Sequence, residues 1–187
     1  HRVAPLLHHE IGTHLLTRFN GRTQGLKQLQ IGLPGYETLQ EGIAVLAEYL
    51  SGGLRRRRLR TLAARVEAVC RLIQGETFTT TFSALRDIGY GPQSAFRITT
   101  RVYRGGGLTK DAIYLHGLVQ VLEYLSSGRP IERLLVGKMA HHHLPAIETL
   151  LYRGIVYSPM LRLLYLTAGE AGERLGFLPG DILAKVN

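Results

Sequence analysis

The segment His9-Glu10-Ile11-Gly12-Thr13-His14 holds two imidazoles around a carboxylate, and Glu41, within Gln40-Glu41-Gly42-Ile43-Ala44, follows 27 residues after His14. Two histidines and one carboxylate make a three-ligand zinc site with one coordination position open. That open position separates a catalytic zinc from a structural one. Glu10, directly after the first histidine, is then placed to take a proton from the attacking water. The pattern predicts a one-zinc hydrolase acting on peptides.

The spacing is HExxxH rather than the commoner form with histidines four apart, one helical turn, on one face. At roughly 100° per residue, a five-residue step carries His14 about 140° round a regular helix from His9. One extra residue looped out as a π-bulge restores the alignment, and such bulges gather at functional sites. Gly12 lies inside the segment, where glycine costs a helix about 1 kcal/mol relative to alanine. A locally irregular backbone accounts for it. Glu37 and Glu48 are the nearest rivals to Glu41, and Glu37 sits one turn earlier on the same face. His8 falls well off the face shared by the ligands and is assigned to structure, or to orienting a ligand from behind. In His141-His142-His143, consecutive side chains diverge by about 100° on a helix and alternate on a strand. That run is read as a surface or helix-start feature.

These residues need elements to hold them. Proline suits a first helical turn and Asn20-Gly21 a stop, so a helix is expected over residues 5–19. Residues 21–35 contain four glycines and one proline and read as a loop, with at most a short strand at 29–31. A helix over 36–50 places Leu39, Ile43, Leu46 and Leu50 on one stripe and Glu37, Glu41, Ala44 and Glu48 on another. Gly42 beside Glu41 lets another backbone come close, as in a third-ligand helix packed against a histidine helix. Further helices are expected over 54–74, 82–88, 92–104 and 110–125, the last capped by Thr109. Gly105-Gly106-Gly107 reads as a turn. Pro130 opens another helix, and 144–151 and 158–166 again look helical. One mainly helical domain covers 1–187: metal-site helices at 1–50, a helical region on the substrate side at 51–168, and a tail at 169–187.

Composition narrows the class. The chain is 45% hydrophobic and 20% charged, as in soluble globular proteins. No apolar run approaches the ~20 residues that span a bilayer. The single cysteine, Cys70, forms no internal disulfide and fits a reducing, cytoplasmic compartment. It falls among Leu62, Val66, Val69 and Ile73 and is expected to be buried. The net charge is +9, much of it from Arg55 to Arg58 with Arg60 and Arg65. Those arginines read as the solvated face of a helix whose other side buries Leu59, Leu62, Val66, Val69 and Ile73. No aromatic interleaving accompanies them, so nucleic acid is not the expected partner. The competing function is a non-catalytic regulatory or binding protein whose basic surface holds an acidic partner or nucleic acid.

HEIGTH, QEGIA and the stretch Gly107-Leu108-Thr109-Lys110-Asp111-Ala112-Ile113-Tyr114-Leu115-His116-Gly117 together resemble the tyrosine carboxypeptidase family. Its bacterial members are known as QEGLA-motif proteins. Its animal members, the microtubule-associated tyrosine carboxypeptidases, remove the C-terminal tyrosine of α-tubulin. The resemblance runs from about Val3 to Leu125. It implies the helical half of a gluzincin-like metallopeptidase, with zinc on His9, His14 and Glu41 and Glu10 as general base. It also implies an exopeptidase, which must grip the free carboxylate of a peptide or protein C-terminus. Arginine does so bidentately and lysine as a point charge. The candidates are Arg101, Arg104 and Lys110, with Tyr103 and Tyr114 as hydrogen-bond donors. Family members are longer at the N-terminus, so the sequence is expected to be a fragment. In such peptidases the substrate lies along a strand preceding the histidine helix. The 187 residues are therefore expected to hold metal but cleave poorly on their own.

Overall fold

The computed structural model describes residues 3–105 and 108–163, apart from the side chains of Leu108 and Thr109. The expected tail at 169–187, the expected helix beyond 163, the centre of the triple-glycine turn and the capping side chain of Thr109 lie outside the described residues. No strand occurs among the described residues, and the architecture is mainly α.

The chain begins with α1 (Val3–His9), a π-helical turn (Glu10–Leu15) and α2 (Leu16–Thr23), which follow one another without a break. We call them together the histidine helix. It does not stop at Asn20-Gly21. The Asn20 side chain turns inward, donates to the carbonyls of Leu135 and Leu161, and accepts from the Leu161 amide. Gly21 lies against backbone: a Cβ there would stand 2.2 Å from the Leu29 carbonyl oxygen. The two residues read as a stop signal serve tertiary contacts instead.

Residues expected as a short strand form α3 (Gln28–Ile31). The Lys138 amide donates to the Leu29 carbonyl and the Leu33 amide to that of Lys138. Two isolated bonds do not make a ladder, so the local turn prevails.

Helix α4 (Tyr36–Leu50) has the expected bounds, and every residue from Leu39 to Leu50 is buried. A helix apolar on most sides belongs at the centre of a fold. Burying each leucine contributes about 1.5–3 kcal/mol, but α4 also carries Glu41 and Glu48 inside. An unpaired buried carboxylate costs several kcal/mol, so the helix is compatible with this position only if both acids find partners. The backbone that approaches Gly42 belongs to α8, not to the histidine helix. A Cβ on Gly42 would lie 2.2 Å from the Gly117 carbonyl, and one on Gly117 only 1.9 Å from the Thr38 oxygen.

Then follow α5 (Arg56–Ile73), α6 (Phe78–Asp87), α7 (Pro92–Tyr103) and α8 (Leu108–Ser126). α6 starts four residues earlier than expected, because the Thr77 hydroxyl caps it by accepting from the Thr80 amide. Two 3-10 turns (Ile131–Leu135 and His141–His143) lead into α9 (Leu144–Tyr152). The expected helix at 158–166 is irregular as far as it is described, through residue 163.

Two apolar clusters result. The larger surrounds α4 and takes in Leu118, Val121, Leu134, Leu135 and Met139. The smaller joins α5, α6 and α7 through Ala68, Leu85, Ala95 and Val102. α5 belongs to both: Leu59 and Leu62 enter the first, Ala64, Ala68 and Val69 the second. Its buried face therefore rotates midway along the helix. That rotation leaves Cys70 exposed and Ile73 69% exposed, where a single straight stripe would have buried both.

Candidate metal centre

The π turn does what the five-residue spacing demands. The Leu16 amide donates to the Ile11 carbonyl five residues back, so one additional residue is accommodated between the histidines. The His9 and His14 rings meet edge to face with centroids 5.2 Å apart. On a regular helix they would diverge by about 140°.

Opposite them stands Glu41 from the middle of α4. His9 Nε2 lies 3.3 Å and His14 Nε2 3.7 Å from Glu41 Oε2. One donor atom from each of the three residues falls within 4.8 Å of the others. Both contacts are in ion-pair range but lack hydrogen-bond geometry, so Oε2 is buried with no hydrogen-bond donor. An acceptor orphaned between two imidazole nitrogens is a poor arrangement for a protein alone. It is a good one around a divalent cation, and the set of two nitrogens and one oxygen is that of zinc sites. The residues fit the metal.

Behind the cluster is a network that sequence reasoning did not assign. His9 Nδ1 is 3.0 Å from Glu48 Oε1, two helical turns along α4 from Glu41. Arg58 holds that carboxylate from the far side, Nε to Oε2 at 3.1 Å and Nη2 to Oε1 at 3.2 Å. A histidine bonded to a carboxylate through one nitrogen has its other nitrogen fixed in direction. Gln40 adds a second brace, accepting from the Thr17 hydroxyl at 2.6 Å and so fastening the histidine helix to α4. The signal for Glu48 was its seven-residue spacing from Glu41. Nothing in the sequence pointed to Arg58, which read as one member of a solvated arginine run.

Electrostatics follow from burial and pairing. Burial alone would lower the His9 pKa, but Glu41 and Glu48 outweigh it and push it up to about 9. Burial would raise Glu41, yet His14 and His9 hold it at about 2. Glu48 is likewise pushed up by burial and more strongly down by His9 and Arg58, and it ends below the usual carboxylate range. In the absence of metal the cluster is a charged assembly, with both acids ionised and His9 protonated at neutral pH.

Of the remaining sequence candidates, two on α8 border the cluster. Lys110 Nζ is 3.9 Å from Glu41 Oε1, and the Tyr114 ring centroid is 6.4 Å from that of His9. Burial, then the Glu41 charge, raises the Tyr114 phenol. Glu10 is exposed on the π turn, next to His9. Arg101 is paired with buried Asp111, which Arg65 also approaches at 3.7 Å. Tyr103 lies apart from the cluster: its hydroxyl is 2.6 Å from that of Thr81 and donates to the Glu76 carbonyl. Its ring packs on Phe78, so its role there is to tie α7 to α6. Arg104 follows α7 with an exposed side chain, and no described contact joins it to the cluster. Glu37 is exposed, and His8 lends its backbone carbonyl to the Thr13 hydroxyl.

The family model for microtubule-associated tyrosine carboxypeptidase matches residues 1–179. The chain belongs to this family. Membership in the microtubule-associated tyrosine carboxypeptidase family places it among the carboxypeptidases, which are hydrolases of peptide C-termini. No curated protein sequence matches the chain. The matched span contains the histidine helix, α4 and α8, so each element that borders the cluster lies within it. No described helix is long and apolar enough to cross a membrane.

Proposed function

We propose that this protein is a zinc metallocarboxypeptidase that releases a C-terminal tyrosine, or another aromatic residue, from a peptide or protein. The observation that carries this is the convergence of His9, His14 and Glu41 across a π turn within a carboxypeptidase family. His9, His14 and Glu41 would hold one zinc ion, and Glu48 would keep Nε2 of His9 directed at it. Zinc bound there supplies Lewis acidity, polarising a carbonyl and lowering the pKa of water toward ~7.

The chain's own residues do the rest. Glu10 takes the proton from the attacking water and delivers it to the departing amine, a role open to an exposed carboxylate beside a metal ligand. Lys110 offers a point charge to the substrate's terminal carboxylate, and Tyr114 a phenolic hydrogen to the developing oxyanion. Arg101, already bonded to Asp111, adds positive charge behind them.

The test is metal analysis of the purified protein together with C-terminal residue release from a peptide panel, repeated with Glu10→Gln. The expected result is about one zinc per chain in both proteins, with release slowed by a factor of about 10²–10⁴ in the variant. Absence of stoichiometric metal, or unchanged turnover in Glu10→Gln, sinks the proposal.

A further inference from the structure

A cavity of about 650 Å³ opens between α5 and α7, and its lining contains Arg56, Arg57, Arg60, Arg65, Arg97 and Arg101 but no aspartate or glutamate. So many guanidinium groups around one space repel one another unless something anionic enters. Part of this charge is compensated within the chain. Arg65 and Arg101 share the single carboxylate of Asp111, and Arg60 lies over the Tyr90 ring at 5.2 Å. Arg65 Nε is buried with no hydrogen-bond partner. Burial, then the charges of Arg101 and Arg58, pulls the Arg65 pKa below its ordinary value.

A second donor set faces the same space. Gly91 and Ser94 line it, and they belong to the N-terminal turn of the 12-residue α7. Gly91 provides no side-chain cap, Pro92 has no N–H and the Ala95 amide donates to the Gly91 carbonyl, so the first-turn donors left for an outside acceptor are the amides of Gln93 and Ser94. Helix N-termini of this kind favour anions, phosphate among them.

We propose that this cavity is a binding site for a small ligand carrying two or more phosphate groups. Oxygen density decides the class. A carboxylate has two oxygens and satisfies one guanidinium fork, whereas linked phosphates present many oxygens in a small volume to several forks at once. The cavity size is that of small-molecule sites. Arg101 belongs to this lining and also stands behind Lys110 and Tyr114, but no metal ligand lines the cavity, so binding measured without metal does not depend on whether the chain is a zinc enzyme.

The probe is inorganic tripolyphosphate, titrated calorimetrically into the purified chain in the presence of chelator so that no metal contributes. Saturable binding tighter than about 1 mM is expected, weakening steeply as salt rises. The double variant Arg60→Gln/Arg97→Gln should weaken it by about tenfold or more. Arg55→Gln, a change outside the lining, should leave it unaltered. If the double variant does not fold, the single changes are read in its place, with Arg97→Lys expected to retain part of the affinity. Absence of saturable binding overturns the proposal. So does equal loss from Arg55→Gln, which would mean a diffuse basic surface. A glutamate-rich peptide that outcompetes tripolyphosphate for the same arginines would also overturn it, assigning the cavity to an acidic polypeptide.

Discussion

The two histidine clusters differ less in how many imidazoles they hold than in what stands opposite them. His9 and His14 converge because a π turn corrects their spacing, and α4 supplies Glu41 in front and Glu48 behind. His141, His142 and His143 are adjacent in sequence and form one 3-10 turn. The His142 and His143 rings meet at a tilt of 50° with centroids 4.1 Å apart, His143 Nδ1 accepts from the Ala140 amide, and His141 meets Tyr124 edge-on. Burial, then His142, lowers the His143 pKa, whereas burial at His9 is outweighed by carboxylates. Among the described residues only the first cluster forms a metal-competent group. Imidazoles become a candidate metal site through opposed charge and fixed direction, and density in sequence provides neither.

The contrast can be broken most directly at its centre. Glu41→Gln or His9→Ala should lower zinc affinity by more than the roughly hundredfold typical of losing an outer partner, and hydrolysis should go with it. A competition titration against a chromophoric chelator measures this, and a variant that still binds at the wild-type level removes Glu41 or His9 from the ligand set. Next in size is Glu48→Gln, expected to cost about 10–100-fold in affinity, because His9 loses the carboxylate that orients it. Arg58→Gln should have a smaller effect in the same direction. If both leave affinity unchanged, the network serves stability alone.

Metal-free stability should depend on pH through the same residues. The His9 contribution, with a pKa raised from 6.5 to about 9, is complete below 6.5 and fades as pH rises through about 9. The Glu41 contribution, with a pKa lowered from 4.5 to about 2, is complete above 4.5 and fades as pH falls through about 2. Thermal unfolding of chelated protein should therefore show the cluster's support greatest between pH 4.5 and 6.5. His9→Ala should flatten the alkaline limb; a limb that persists assigns it to other groups. The smallest expected effect is that of His142→Ala. Its side chain is exposed, so zinc stoichiometry should not change and stability should move by no more than about 0.5 kcal/mol. Lost zinc in that variant would erase the distinction between the clusters.

Much of this was legible in the sequence where local chemistry decided it. The five-residue spacing required a π turn, and the Leu-Ile-Leu-Leu stripe of α4 fixed that helix to the residue. What was illegible depended on partners distant in sequence. Asn20 and Gly21 looked like a stop because their contacts, near residues 29, 135 and 161, cannot be read locally. Cys70 looked buried because one stripe was drawn along a helix that changes neighbours midway. Arg58 hid in a run of like residues, and only the fold shows which of them turns toward Glu48.

The crossing of Gly42 and Gly117 sets a dimension. Lys110 and Tyr114 ride on α8, while Glu41 rides on α4, and these two helices are held apart only by glycine hydrogens. The aperture between the candidate ligand set and its flanking lysine and tyrosine is thus gauged by two missing methyl groups, one beside Glu41 and one a helical turn beyond Tyr114. A single alanine at 117 would wedge the helices and widen the mouth without altering any residue that lines it.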